Sequence, residues 1–332
     1  VSIERTDPRD PAAFDEWYDV MEAGATAGRE FAVVWTREEM RAGILRESPY
    51  WGKEMWAVRD ETGKIAGVLW VELPLQDNPS LITVDINVPP ERRRQGYGSA
   101  LVRVAGDRAA YHGRTVVHSE VTAPLGGVAA GQAFARANGL TVANVEMHRI
   151  LELPLEQVFL EKLAAEVAEH HRGYRLVSWQ DRCPDELVDA YAALESTFMT
   201  ESPQGELEVE AEVWDADRVR SREEHARAQG RTGWATVAIA PDGTLAGNTE
   251  LYLSSHDPVN AFQSGTLVAP AHRGHRLGLA LKVRNHLELQ RSHSERLVVH
   301  TWNAEQNTAM NAVNERLGFR PVEQSEEWQR RI

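Results

Sequence analysis

Residues 88–101 and 268–281 carry the same order of residue types. In each, an apolar stretch ends at proline, a basic loop follows, and a small-residue turn leads into an amphipathic helix. At a constant offset of 180, Gly63 matches Gly243, Gly67 matches Gly247, Val88 matches Val268 and Pro90 matches Pro270. Arg93 and Arg273, Gly98 and Gly278, Ala100 and Ala280, and Leu101 and Leu281 follow the same offset. Further on, Val116-Val117-His118 matches Val298-Val299-His300 at 182, and Gly139 matches Gly318 at 179, the drift that loop-length changes produce. A period this long describes duplicated domains, not a solenoid. The chain must therefore fold as two versions of one plan. Each version carries a loop that sets backbone N–H groups and a helix N-terminus against a phosphate.

Length and charge agree with two domains and narrow their partners. The 332 residues allow two cores of ordinary size. The halves are expected at 1–153 and 173–332, with a linker helix at 154–172 whose apolar positions Leu155, Val158, Phe159, Leu163 and Val167 keep a helical period. The net charge of -14 disfavours nucleic acid and favours cationic small molecules. No apolar run approaches the roughly 18 residues of a membrane span, and no signal-peptide pattern opens the sequence. A single cysteine, Cys183, fits a cytoplasmic protein and reads as inert beside Pro184. Oligomeric state is left open.

Each half reads as strand, helices, strands, loop with helix, strand, helix, strand. In the first, the expected strands are 1–4, 55–58, 65–73, 81–88, 115–121 and 147–153, with helices at 14–23, 36–45, 98–111 and 131–138. In the second, strands are expected at 174–179, 236–240, 245–253, 262–268 and 297–302, and helices at 186–199, 277–290 and 307–317. This α/β order is too irregular for a Rossmann domain, and the G-x-G-x-x-G fingerprint is absent.

Arg93-x-x-Gly96-x-Gly98 resembles the R/Q-x-x-G-x-G/A signature of the GNAT superfamily of acyl-CoA-dependent N-acyltransferases. Leu317-Gly318-Phe319, after an Asn-rich helix, resembles that family's closing segment. The resemblance covers nearly the whole chain and implies two tandem α/β domains, each built on a mixed sheet. It implies acetyl-CoA, or another acyl-CoA, as co-substrate and a primary amine as acceptor. In the first half it assigns the cofactor to the splayed strand Ile86, Asn87 and Val88 and to Arg93, Arg94, Gln95, Gly96, Tyr97, Gly98 and Ser99. In the second half the corresponding residues are Leu267, Val268, Arg273, Gly274, His275, Arg276, Gly278 and Leu279, together with Asn307. A pyrophosphate needs converging N–H donors more than side chains, and glycines allow close backbone approach.

The two copies depart from the family in different ways. Arg276 stands where the first glycine belongs, which puts binding in the second copy in doubt. The family's thiolate-protonating tyrosine is replaced by Asn314 in the second half and Ala135 in the first; its Asn position is Asn307 and Val128. An amide cannot serve as a titrating acid, so positioning and helix-end dipoles must carry more of the rate. Glu250 and then His300 are the candidate bases in the second half, and Glu72, Asp85 and Glu120 their analogues in the first. The acidic stretch 201–217 reads as a lid that concentrates a cationic amine, with Trp214, Trp35 and Trp51 as pocket walls. Asn307 and that lid favour chemistry in the C-terminal half, with the first half binding acyl-CoA or serving as scaffold. The alternative is a catalytically silent acyl-CoA-binding or interaction module.

Overall fold

The computed structural model describes residues 2–332; Val1, placed in the first expected strand, lies outside them. The elements run β1 (Ser2–Arg5), α1 (Pro11–Thr26), α2 (Arg37–Leu45), β2 (Trp51–Arg59), β3 (Ile65–Pro74), β4 (Leu81–Asn87), α3 (Tyr97–Tyr111), β5 (Val116–Pro124) and α4 (Ala130–Ala137). They continue with β6 (Thr141–Glu152), α5 (Gln157–Ala168), β7 (Arg175–Gln180), α6 (Val188–Glu195), α7 (Phe198–Glu201), α8 (Ala216–Ala228) and β8 (Arg231–Ile239). The last are β9 (Leu245–Ser254), β10 (Asn260–Val268), α9 (Leu277–Ser292), β11 (Val298–Ala304), α10 (Thr308–Leu317) and β12 (Arg320–Arg331).

Local signals fix several helix starts. Asp10 caps α1 ahead of Pro11, whose missing N–H would be unpaired there anyway. Thr36 and Glu39 close a capping box on α2. Asp215 caps α8 and Asn307 caps α10, which Gly318 ends in the left-handed conformation. The sequence reading left α8 out, because Arg, Glu and Ala without an apolar stripe give no helical period; only Arg218 and Val219 of α8 are buried.

The chain divides into two compact units that do not follow its halves strand for strand. The first comprises the chain up to Val145 with Gly205–Glu210 and Glu323–Ile332; the second comprises Glu146–Gln204 and Ala211–Val322. The first unit's strand order is β1-β2-β3-β4-β5-β12, and the second's is β6-β11-β10-β9-β8-β7. The closing strands are thus exchanged. Residues 147–153, expected to close the first half, pair with β11 from Val298↔Glu152 to Ala304↔Glu146. The chain's last strand instead pairs with β5, from Glu323↔Pro124 to Arg331↔Val116. Duplicated strands of equal length and pattern fit either partner, so periodicity alone cannot assign them.

In the first unit, alternation along β3 sends Leu69 and Val71 to a core under α3, with Val58, Ile82, Val84, Leu101 and Val104. It sends Val68 to the opposite face, where Phe14, Trp17, Tyr18 and Met21 of α1 cover Met55 and Ala57. Each such buried side chain contributes about 1.5–3 kcal/mol. In the second unit, α5 and α9 cover one face through Leu160, Leu163, Leu279 and Val283. The other face lies under α6 and α8. The segment 205–210, expected in the lid, belongs to the first unit. There Glu206 N–H donates to the Ala143 carbonyl (2.6 Å), Glu210 N–H to Asn78 Oδ1 (2.6 Å), and Arg331 Nε to Glu208 Oε1 (2.8 Å).

Candidate active site

Both loops follow strands that splay. Parallel pairing of β4 with β5 stops after Leu81↔Val116, Ile82↔Val117 and Thr83↔His118. That of β10 with β11 stops after Asn260↔Val298, Ala261↔Val299 and Phe262↔His300. Beyond these points Val84–Asn87 and Gln263–Val268 have no ladder partner on that side, which opens a wedge in each unit. In β10 the ladder with β9 also shifts register between Gln263 and Thr266, a bulge that β4 lacks.

The loops share one backbone shape with glycine in complementary places. Arg94 (φ 63°) and Gly96 (φ 92°) are left-handed in the first; Gly274 (φ 88°) and Arg276 (φ 53°) occupy the equivalent positions in the second. The turn needs two left-handed residues, and each copy supplies one glycine and one arginine. Arg276 therefore leaves the main-chain geometry of the turn intact. Arg93 Nε donates to the Val88 carbonyl (2.9 Å), and Arg273 Nε to that of Val268 (3.3 Å). These two arginines brace the loop.

Other assigned residues divide between backbone and core roles. Gln95 Nε2 donates to the Glu91 carbonyl (3.1 Å), while Arg94, Gly96 and Ser99 are exposed. The Tyr97 side chain is buried against α3's core, where Ile86 also packs, so Tyr97 offers only its main chain. Asn87 Nδ2 donates to Asp85 Oδ2 (3.0 Å). In the second unit Leu267 is core, Val268 lines a smaller apolar cluster, and Leu279 is buried under α5 where its counterpart Ser99 is open. Gly278 is likewise buried. The second loop's cations are already paired: Arg276 Nη1 with Glu166 (2.7 Å) and Arg273 Nη2 with Glu201 (2.6 Å). His275 Nδ1 lies 3.2 Å from the His170 carbonyl.

The candidate bases of the second unit are engaged. Glu250 Oε1 accepts from Tyr191 and from Arg222 Nη2 (3.1 Å), and Oε2 accepts from Tyr252 (3.1 Å). Arg222 also holds Glu195 (2.5 Å), whose carboxyl burial pushes up. A cleft is walled by Trp179, Tyr191, Arg222, Glu250 and Tyr252. His300 is buried, with Nδ1 2.9 Å from His148 Nε2 and Nε2 2.9 Å from Asn260 Oδ1, and it stacks on Phe262, His148 and Trp302. It is a satisfied core histidine, and its expected role as base is not supported by this burial. Asn307 spends its side chain capping α10, accepting from Met310 N–H (3.2 Å). Asn314 is fully buried, accepting from Lys282 Nζ (2.6 Å) and donating to Asn303 Oδ1 (2.6 Å). Trp214 packs against the α6 core, Trp35 and Trp51 are exposed, and burial pushes the Cys183 thiol up to about 12.

The first unit differs in kind. Register puts Trp70 beside Asp85, Glu72 beside Thr83, and Glu120 beside Glu327, all on the α1 face around the wedge. Asp85 meets solvent in a recess dense with neighbours. Burial there, with Glu120 adding repulsion, pushes its carboxyl up to about 6 against the opposing Asn87 hydrogen bond and Arg29 charge. Burial likewise raises Glu72 and Glu327, the latter despite a bond from Asn144 Nδ2 (2.6 Å). Arg29, whose charge acts on Asp85, is committed, since it forms a bidentate pair with buried Glu323 (both contacts 2.8 Å). Among the described residues no ion pair reaches Asp85, Glu120 or Glu327. Sequence spacing had named Glu72, Asp85 and Glu120; Glu327 was missed because it arrives on the exchanged strand.

Residues 15–131 match the model of the acetyltransferase (GNAT) family. No curated protein matches the sequence. Among solved structures, a tandem GNAT protein from the clavulanic acid biosynthesis pathway superposes with a TM-score of 0.80 at 28% identity, over 99% of this chain and 98% of that one. A GCN5-related N-acetyltransferase from Sphaerobacter thermophilus gives 0.67 at 14% identity over 99% and 95%. The glucosamine N-acetyltransferase region of a fungal multi-domain β-N-acetylglucosaminidase gives 0.68 at 13% identity, over 99% of this chain and 38% of that one. These last two share the fold. Two wedge-and-loop units of this kind define a tandem GNAT fold, and the first of them carries the family match. No helix among the described residues is long and apolar enough to cross a membrane.

Proposed function

We propose that the chain is an N-acyltransferase that moves an acetyl or other short acyl group from acyl-CoA to the primary amine of a small cationic acceptor. We place the acceptor in the first unit. The observation carrying this reading is the set Asp85, Glu120 and Glu327 facing the wedge with no cation paired to them. Carboxylates so grouped repel one another and gain most from an ammonium guest. The first loop is open, with Gly96 and Ser99 exposed at the start of α3, which suits a diphosphate.

Acyl-CoA supplies an activated carbonyl carbon. Asp85, ionised above about pH 6, takes the proton of the bound ammonium directly or through a water. The amine nitrogen then bonds the thioester carbon, the C–S bond breaks with its electron pair leaving on sulfur, and the nitrogen's second proton passes through water to that sulfur. Glu120 and Glu327 hold the remaining positive charge of the acceptor. This departs from the lean toward the C-terminal half, because Glu250 and His300 are committed to internal partners.

The test is thiol release from acetyl-CoA with a panel of polyamines, aminoglycosides and amino-acid amides. The rate is expected to climb with pH through a limb near 6. Asp85→Asn should lower kcat/KM about 10²–10⁴-fold and abolish that limb. A profile unchanged by Asp85→Asn would remove the base. A silent acyl-CoA-binding module is the second reading, favoured by Ala135 and Asn314 at the tyrosine positions, and coenzyme binding without thiol release from any amine would establish it.

A further inference from the structure

Each of the three carboxylates at the first unit's wedge is tied through one oxygen, and always by a neutral donor. Asp85 Oδ2 accepts from Asn87 Nδ2 (3.0 Å), and Glu327 Oε2 accepts from Asn144 Nδ2 (2.6 Å). Glu120 Oε1 lies within reach of two hydroxyls, Thr122 Oγ1 (2.9 Å) and Ser325 Oγ (3.1 Å), which stand 2.7 Å from each other. Among the described residues, Asp85 Oδ1, Glu120 Oε2 and Glu327 Oε1 receive no hydrogen bond. A neutral donor fixes a carboxylate without cancelling its charge, whereas an arginine would do both. Nor do the described acidic groups gather in threes as the ligands of a metal ion do. A guest with separated positive charges matches this arrangement better than a single small ion.

The hydroxyl pair is what the fold itself does not call for. Ser325 is fully buried and arrives on the exchanged strand β12, where it pairs with Thr122 as Glu327 pairs with Glu120. At the offsets of 182 and 179, the same two cross-strand places in the second unit hold Ala304 with Glu146 and Trp302 with His148. Both hydroxyls and the carboxylate they serve are therefore found in one unit and missing from the other. Two hydroxyl protons serve three contacts. The two shorter ones run in line, Ser325 donating to Thr122 and Thr122 to Glu120, so that each donor strengthens the next. Glu120 is an exposed side chain, and an exposed glutamate left untied moves rapidly among rotamers. Tied at Oε1, it keeps Oε2 in one place.

We propose that Thr122 and Ser325 are positioning residues that hold Glu120 for a second ammonium of the acceptor, so that the first unit selects diamines over monoamines. The inference rests on the acyltransferase reading above, in which Asp85 takes the proton of the reacting ammonium. Asp85 and Glu120 each lie two residues beyond the last parallel pair, Thr83↔His118, on strands that part from there. The reacting nitrogen sits at one strand and the second ammonium at the other. Glu327, opposite Glu120, adds its charge to that second ammonium. Thr122 acts on the acceptor through Glu120, and Ser325 acts through Thr122.

Thiol release from acetyl-CoA, followed with 1,4-diaminobutane and with n-butylamine, tests the inference. In the unaltered chain kcat/KM for the diamine is expected to exceed that for the monoamine about tenfold. Thr122→Val removes the hydroxyl and should bring that ratio to about one, with the loss falling on KM for the diamine and not on kcat. Thr122→Ser, which keeps the hydroxyl, should retain the ratio. Ser325→Ala should reduce it to about three, because its hydroxyl acts at one remove. A merely structural role would lower kcat for both amines alike and would not separate valine from serine at residue 122. Equal use of the two amines by the unaltered chain, or a ratio that survives both Thr122→Val and Ser325→Ala, overturns the inference and leaves Asp85 as the base. So does turnover of another amine of the panel with none of 1,4-diaminobutane. Absence of thiol release with every amine instead defeats the acyltransferase reading itself.

Discussion

Replacing Lys282 by methionine should stabilise the protein at pH 7 and destabilise it at pH 10. Burial, with Arg149 adding repulsion, pulls the Lys282 ammonium down to about 7, whereas in the unfolded chain it titrates near roughly 10.4. Between those values the unfolded chain carries the extra proton, so stability rises with pH at about 1.4 kcal/mol per unit. At pH 7 the folded state bears a penalty of about 4 kcal/mol, an upper figure that falls below about 1 kcal/mol at pH 10. Methionine removes the penalty and packs beside Phe319, but it leaves Asn314 Oδ1 unpaired at a cost of about 1–3 kcal/mol. The balance is a gain of about 1–3 kcal/mol at pH 7 and a loss of about 1 kcal/mol at pH 10, so the two stability curves cross. Urea unfolding of both proteins at pH 7, 8.5 and 10 reads this directly. Parallel curves would refute the reasoning, because they would mean that Lys282 keeps its proton in the fold at an ordinary pKa.

The loop geometry predicts that Arg94→Gly and Arg276→Gly each raise stability by about 1 kcal/mol, since each relieves a side chain held at positive φ; a lowered melting midpoint for either would show the left-handed turn to be wrong. Arg29→Ala removes the guanidinium that holds the buried Glu323 carboxylate, 1% exposed, and should cost about 3–5 kcal/mol. Arg29→Ala with Glu323→Gln should recover much of that loss in the same unfolding assay, and failure to recover would mean that the pair is not what the substitution breaks.

The duplication, the loops and most strands were readable because they rest on local rules. A proline after an apolar run, a basic turn and a small-residue helix start recur at one spacing, and the structure gives both the same backbone. Helix α8 was not readable, since its charged residues leave no stripe for a period to detect. The roles of Glu250 and His300 depended on neighbours distant in sequence: Tyr191 and Arg222 for one, His148 and Asn260 for the other. No spacing rule brings residue 148 to residue 300. The acidic stretch 201–217 was read as a lid from composition, yet Glu206, Glu208 and Glu210 make their bonds within the first unit.

Strand exchange explains why the two copies diverged in opposite directions. Each wedge has one wall from its own half, β5 or β11, and behind that wall a strand supplied by the other half. In the first unit β12 brings Glu323, Ser325 and Glu327 next to β5, and Glu327 opposite Glu120 makes its face acidic. In the second, β6 brings His148 and Arg149 next to β11, sealing His300 and setting a second cation by Lys282. A substitution in the last ten residues therefore acts on the acidic face of the first unit, and one at 146–152 acts on the second. The chemistry of each wedge is set as much by the borrowed strand as by its own loop, which is why two copies of one loop stand beside carboxylates in one unit and beside buried cations and histidines in the other.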